Sequence, residues 1–449
     1  MRYLPLTETE REEMRKTIGI KETKELFSDI PKDKSYFSLA DLPAALSESE
    51  LLDKFKEIGR KNIFPGFLSF LGAGAYQHFI PELVNFLSNK SEFLTPYTPY
   101  QPEVSQGSLQ GMFEYQTMMA QLTGMDIANS SLYDGGTAAA EGIVLALKKS
   151  KKQHILIAGN IHPEYIEIMQ TYIKYLDYKM DLVPFDPQSG KLKLAELEGK
   201  IDQDTAGFIF QSPNFFGVVE EGKQISTMLH SKNSYSIQIV TEALSLAFLV
   251  PPGENDVDLV VGEAQSFGLP LGFGGPYLGF IAAKSEFLRQ MPGRFVGQTL
   301  DSKGNRGYVL TLSTREQHIK RERATSNICT NEAWCAFRAG IYLATMGKKG
   351  LQSIAKTNHL NTAYFVKEVS KLNNVKVKYQ KDYYNEVVLE VQNGKTDDFL
   401  NKLEAKKILA GIPLHWFYPD QKNTILVNFT EIHRKKDIDQ LVQAIGEIK

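Results

Sequence analysis

The stretch VGEAQSFGLPLGFGGP, Val261–Pro276, decides the fold. It closes an apolar run, VDLVVGEA, and passes into a loop rich in glycine and proline, the pattern of a strand that ends in a turn. The same pattern recurs on both sides of it. Upstream, HILIAG, KMDLVPF, AGFIFQS and SIQIVTEAL are short apolar runs, interleaved with the amphipathic segments PEYIEIMQTYIKYL and LKLAELEGK; YLGFIAAK follows downstream. Strands that alternate with helices at this rhythm predict a mostly parallel sheet covered on both faces. Ligands of such sheets bind beyond the carboxyl ends of the strands, so the loop after Val261 lies where a site is expected. No lysine occurs in it, nor anywhere from Asn233 to Ala283.

Outside this region the texture changes. The beginning of the chain reads as short helices: Thr7 followed by Glu10 is a capping-box pattern, and ESELLDKFKEIG carries apolar residues at helical spacing. After Asn331 come the long helical segments AWCAFRAGIYLATMG and GLQSIAKTNHLNTAYFVKEVSKL, then NEVVLEVQ, a helix, TILVNFT and a closing helix. The expected organisation is a helical arm and cover over 1–95, a large α/β domain over 96–325 and a smaller α+β domain over 326–449.

Composition sets the outer limits. The 449 residues are 42% hydrophobic and 23% charged, enough for more than one core. A net charge of −2 argues against nucleic acid or an anionic membrane as the main partner. Cys329 and Cys335 have no metal-ligand set around them, and two buried thiols in a reducing cytosol are the simple reading. The opening MRYLPLTETEREEMRKTIGI has no apolar signal core, and no run approaches the ~18 apolar residues of a membrane span. A cytoplasmic protein without metal, membrane or nucleic acid is expected.

Three segments carry candidate chemistry. In SSLYDGGTAAAEGIVLALKK, Asp134 can cap a helix, while Gly135, Gly136 and the N–H groups behind them form an anion cradle to which Thr137 adds a hydroxyl. A plain capped helix after a glycine turn is the alternative. In TPYTPYQPE the prolines favour an extended backbone, and Tyr97, Thr98 and Tyr100 offer hydroxyls; the segment is either a packed connector or a contact surface. STREQHIKRERATSNICTNEAW presents Arg315, His318, Lys320, Arg321 and Arg323, as either a solvated basic face or an anion- or partner-binding surface.

YTPYQPEVSQG, YDGGTAAAEG, GLPLGFGGPYLG and REQHIKRERATSNICT, in this order, resemble the glycine cleavage system P-protein family, the pyridoxal-phosphate (PLP) dependent glycine dehydrogenases (decarboxylating), over nearly the whole chain. The resemblance implies a PLP-dependent transferase-like large domain of fold type I. It places the cofactor phosphate at Asp134, Gly135, Gly136 and Thr137. Thr241 stands where this class sets an aspartate against the pyridine nitrogen, and the adjacent Glu242 should point to the other face of its strand. The family's cofactor-binding half has a His-Lys pair followed by Thr-Phe; here Ala264 and Gln265 occupy the pair, followed by Ser266 and Phe267.

Some members of this family are one long chain of two related halves, and others are split into two subunits. This chain resembles the N-terminal half, subunit 1 of the split form. The resemblance then implies that PLP is bound covalently by subunit 2 in an α2β2 heterotetramer. Asp134, Gly135, Gly136, Thr137, Thr241 and Gln265 become vestigial cofactor positions. It further implies decarboxylation of glycine and transfer of the aminomethyl group to the lipoyl arm of H-protein. No catalytic residue is expected on this chain itself; Tyr97, Thr98 and Tyr100 are the candidates to line the partner's site in trans. Two alternatives stand beside this reading: an autonomous PLP enzyme using another lysine, and a non-catalytic scaffold of the same fold.

Overall fold

The computed structural model describes residues 6–30, 42–62, 66–94, 98–328, 332–392 and 394–448. Tyr97 and Cys329 lie outside the described residues. The chain divides into two compact units, Met1–Pro65 and Gly66–Lys449. In the first, helices Glu8–Ile18 and Glu48–Arg60 are each opened by a capping box, Thr7 with Glu10 and Ser47 with Glu50, in which the side-chain oxygens satisfy backbone N–H groups that the first turn leaves unpaired. Neither helix contains a buried residue.

The second unit is built on a seven-stranded sheet. Its strands are β1 (Ile127–Ala128), β2 (His154–Ala158), β3 (Lys179–Val183), β4 (Thr205–Gln211), β5 (Tyr235–Val240), β6 (Leu259–Glu263) and β7 (Gly279–Ala283), in the spatial order β1-β7-β6-β5-β4-β2-β3. β2 to β6 run parallel, whereas β7 is antiparallel to both of its neighbours. Every residue of β2, β4, β6 and β7 is buried, which is why these strands read as continuous apolar runs and not as alternating ones. The expected mostly parallel sheet is therefore present, with one reversed strand.

Helix Gly135–Ser150 lies directly on this sheet, and nearly all of its residues through Leu147 are buried. Its small side chains permit the close approach: a Cβ on Gly142 would meet Val261 Cγ1 at 2.9 Å. The sequence order suggests that this helix precedes the first strand of the sheet; the two-residue edge strand β1, too short to show a pattern, comes before it.

A second, antiparallel sheet follows, made of β8 (Val375–Val377), β9 (Glu386–Val391), β10 (Ile412–Pro413) and β11 (Thr424–Asn428) in the order β8-β9-β11-β10. Helices Thr396–Glu404 and Lys435–Gly446 contribute Phe399, Leu403, Ile438 and Leu441 to the core that covers it. The two helical segments expected after Asn331 form Ala333–Val369, which is broken at Gly347, where φ is 57° and ψ is 177°. A hairpin of Phe295–Leu300 with Arg306–Thr311 has no counterpart in the sequence reading. Leu68–Ser69 pairs in parallel with Ile408–Leu409, so the segment after Gly66 starts beside the small sheet. From there it runs toward the carboxyl ends of the large sheet, where it matters most. Among the described residues, no helix is long and apolar enough to cross a membrane.

Candidate functional site: a closed cleft at the ends of the strands

The carboxyl ends of β2, β4, β5 and β6 converge on one region, as the fold requires. Asp134 caps helix Gly135–Ser150: its Oδ1 accepts the Thr137 N–H at 2.8 Å, and the Thr137 hydroxyl returns to the Asp134 N–H at 3.3 Å. The next residue of the cradle is already engaged. Gly135 donates its N–H to Glu263 Oε2 at 3.0 Å, while Glu263 Oε1 accepts from Gln265 N–H at 3.0 Å and Leu278 N–H at 2.8 Å. Glu263 is 2% exposed. Burial pushes its carboxyl up to about 7, and the N–H groups of Leu278, Gly135 and Gln265 work against that rise. The glycines themselves are enclosed. A Cβ on Gly135 would collide with the Tyr165 hydroxyl and Glu263 Cβ, and one on Gly136 would run into Ile168 Cδ1.

Gln265 is equally committed. Its Oε1 accepts the Tyr76 N–H at 3.1 Å and its Nε2 donates to the Leu269 carbonyl at 2.7 Å. Thr241 is buried, and its hydroxyl accepts from Gln211 Nε2 at 3.3 Å. Neither side chain is a primary amine or an acid. Neither can form an imine with an aldehyde, or hold a protonated ring nitrogen.

The cleft in front of them is filled by the chain's own segment 72–79, which sequence reasoning missed. Ala73 donates its N–H to Glu386 Oε1 at 2.7 Å, and its carbonyl oxygen lies 2.9 Å from His162 Nε2. The Tyr76 hydroxyl donates to Glu386 Oε2 at 2.8 Å. Gly74 makes this path possible, since its φ of 100° suits glycine and a Cβ there would lie 2.9 Å from the His162 ring. His162, buried and held neutral by that burial, stacks on Tyr165 at 4.9 Å and meets Phe215 edge-on at 5.0 Å. Further along, His78 lies between two carboxylates: Nε2 is 2.9 Å from Glu242 and Nδ1 2.7 Å from Glu431. Burial opposes its charge, but the two carboxylates override it and raise the imidazole to about 10. Thr241 and Glu242 lie just after the end of β5, where Glu242 pairs with His78 and accepts the Leu244 N–H at 2.9 Å. The Gly135 N–H and both ends of the Gln265 amide are thus engaged by the protein's own atoms, and with no amine at 265 and no acid at 241 these residues do not fit PLP.

The signal that could have found this region is the presence of charges in apolar surroundings. A glutamate that ends VDLVVGEA must be partnered when it is buried. The same holds for a histidine in GAGAYQHF.

The family model of the glycine cleavage system P-protein matches residues 1–445. The chain belongs to that family. The "Probable glycine dehydrogenase (decarboxylating) subunit 1" of Solibacter usitatus is 45% identical over 445 residues, covering 99% of this chain and 97% of that one. The crystal structure of a glycine decarboxylase (P-protein) of the glycine cleavage system, in inhibitor-bound form, superposes with a TM-score of 0.85 at 35% identity, covering 100% of both chains. The cysteine desulfurase of Thermococcus onnurineus superposes at a TM-score of 0.64, with 14% identity over 91% of this chain and 99% of that one, and shows the fold alone. That fold is the fold type I of PLP-dependent enzymes, as expected.

In this P-protein family member Thr98 and Tyr100 border a separate cleft of about 410 Å³, which Val104, Met112, Trp334 and Phe337 also line. Thr98 is buried, and among the described residues its hydroxyl has no hydrogen-bond partner. Tyr100 is about half exposed, and its hydroxyl lies 2.7 Å from Arg294 Nη2. Arg294 in turn pairs with buried Glu316.

The basic segment separates into two parts. Arg315 turns inward, donating to the Gly293 carbonyl at 2.7 Å and lying over the Phe295 ring; burial and the nearby Arg294 bring it down to about 10. His318, Lys320, Arg321 and Arg323 are exposed. Cys335 is a buried free thiol, pushed up to about 12 by burial and Glu332.

Proposed function

We propose that this chain is the subunit of a two-subunit glycine decarboxylase that does not carry the cofactor. The partner subunit supplies the lysine, binds PLP covalently and removes carbon dioxide from glycine; the aminomethyl group then passes to the lipoyl arm of H-protein. This chain completes the assembly, an α2β2 heterotetramer in the cytoplasm, and lines the partner's site. The single observation that carries the reading is Gln265, which stands at the lysine position with both ends of its amide engaged by backbone groups. The family membership and the name of the 45% identical relative support the activity and the existence of a second subunit.

Within the assembly, Tyr97, Thr98 and Tyr100 line the partner's active site in trans, contributing position and hydrogen bonds and no covalent chemistry. Support comes from Thr98, whose hydroxyl has no partner among the described residues and borders an open cleft beside the half-exposed Tyr100. The scaffold reading draws on a different observation, the engagement of the Tyr100 hydroxyl with Arg294.

Co-purification with the lysine-bearing subunit, followed by glycine–bicarbonate exchange with H-protein, tests the reading. Exchange should require both subunits. Exchange by this chain alone, or by the other subunit at full rate without it, would refute the proposal.

A further inference from the structure

One buried charge at the head of helix Gly135–Ser150 has no part in the proposed function. The Glu263 carboxylate receives three backbone N–H groups from three places: Gly135 in the first turn of the helix, Gln265 two residues after the strand end, and Leu278 just before β7. Among the described residues it forms no ion pair with Lys, Arg or His. Its charge is balanced by peptide N–H groups and the positive end of a helix dipole, the same groups that hold free oxyanions at helix N-termini. The neighbouring carboxylate does not compete for this position, because Asp134 Oδ1 is used by the Thr137 N–H of its own cap.

We propose that the Glu263 carboxylate is this chain's internal replacement for a bound oxyanion: the cradle is a latent small-anion site that the protein keeps filled from within. The inference rests on the reading that this half does not hold the cofactor, and it assigns the lost phosphate interaction a successor. One carboxylate thus joins the first turn of the helix to the ends of two strands that already pair with each other. Enclosure agrees with this, because a Cβ at Gly135 would strike Glu263 Cβ. The acid is built into the place where a free anion would approach.

The test uses the full chain with Glu263→Ala and Glu263→Gln. The alanine variant leaves a void in the shape of the atoms that acetate restores, with three N–H groups facing it. Its melting temperature should lie several degrees below that of the native chain and should rise saturably with sodium acetate, while sodium chloride at equal concentration gives only the small linear effect seen with the native protein. The glutamine variant keeps the volume but turns an NH2 donor toward at least one N–H, so it should be destabilised and unresponsive to acetate. If Glu263→Ala does not fold alone, its refolding yield against acetate and against chloride reads the same site.

Equal responses to acetate and chloride, or a Glu263→Gln protein as stable as the native one, would overturn the proposal. Borohydride treatment of the same samples with PLP keeps the two readings apart. A reduced PLP adduct on the native chain would refute the proposed function and leave the acetate result untouched, whereas a missing acetate response would refute the internal anion alone.

Discussion

Replacing His78 with glutamine removes the cation that links the two sheets of the second unit. Glu242 follows β5 of the large sheet, Glu431 follows β11 of the small one, and the His78 ring bridges them with side chains 2% and 13% exposed for the two acids. The imidazole is raised from 6.5 to about 10 despite its burial. A rise of that size is worth about 5 kcal/mol. For a group raised on folding, this stability is fully present below pH 6.5 and declines to nothing as the pH passes about 10, leaving about 4 kcal/mol at pH 7. Loss of one partner from a buried ion pair typically costs 3–5 kcal/mol, roughly the same magnitude. Urea denaturation of native and His78→Gln chains at pH 6, 8 and 10 measures the difference. It should be largest at pH 6 and nearly vanish at pH 10. A difference below about 1 kcal/mol at pH 6, or one that grows with pH, would show that His78 is neutral and merely hydrogen-bonded.

Gln265→Lys should not create a PLP enzyme. The new side chain cannot accept the Tyr76 N–H, an unsatisfied buried donor that costs about 1–3 kcal/mol, and Thr241 still offers no acid; a denaturation midpoint at the native value together with a stoichiometric borohydride-trapped adduct would contradict this. Tyr100→Phe, assembled with the partner subunit, should lower kcat/KM for glycine by about tenfold, or ~1.4 kcal/mol, with subunit stoichiometry unchanged. If the rate is native and only the melting temperature falls, the Arg294 contact is its whole role and the scaffold reading gains.

The strands were legible because their burial is uniform. HILIAG and VDLVVGEA place apolar side chains on both faces, and nothing but a buried sheet accommodates that. The same uniformity hid the direction of β7, since an unbroken apolar run reads alike in parallel and antiparallel pairing. The cofactor positions were legible only through resemblance, because what Gln265 and Thr241 lack is a matter of chemistry at matched places and not of pattern. Segment 72–79 was not legible at all. Its contacts join Tyr76 to Gln265 and Glu386, residues 189 and 310 positions away, and no local periodicity reports on partners at such separations. Glu263 was in view from the beginning, but its role depends on the Gly135 N–H, 128 positions away.

The most direct measurement is the site of covalent PLP attachment in the assembled enzyme. The complex is reduced with borohydride, digested, and both chains are mapped by mass spectrometry. Pyridoxyl-lysine should appear at one equivalent on the partner subunit and be absent from this chain. A stoichiometric pyridoxyl-lysine on this chain would contradict the claim that its cofactor cleft is closed.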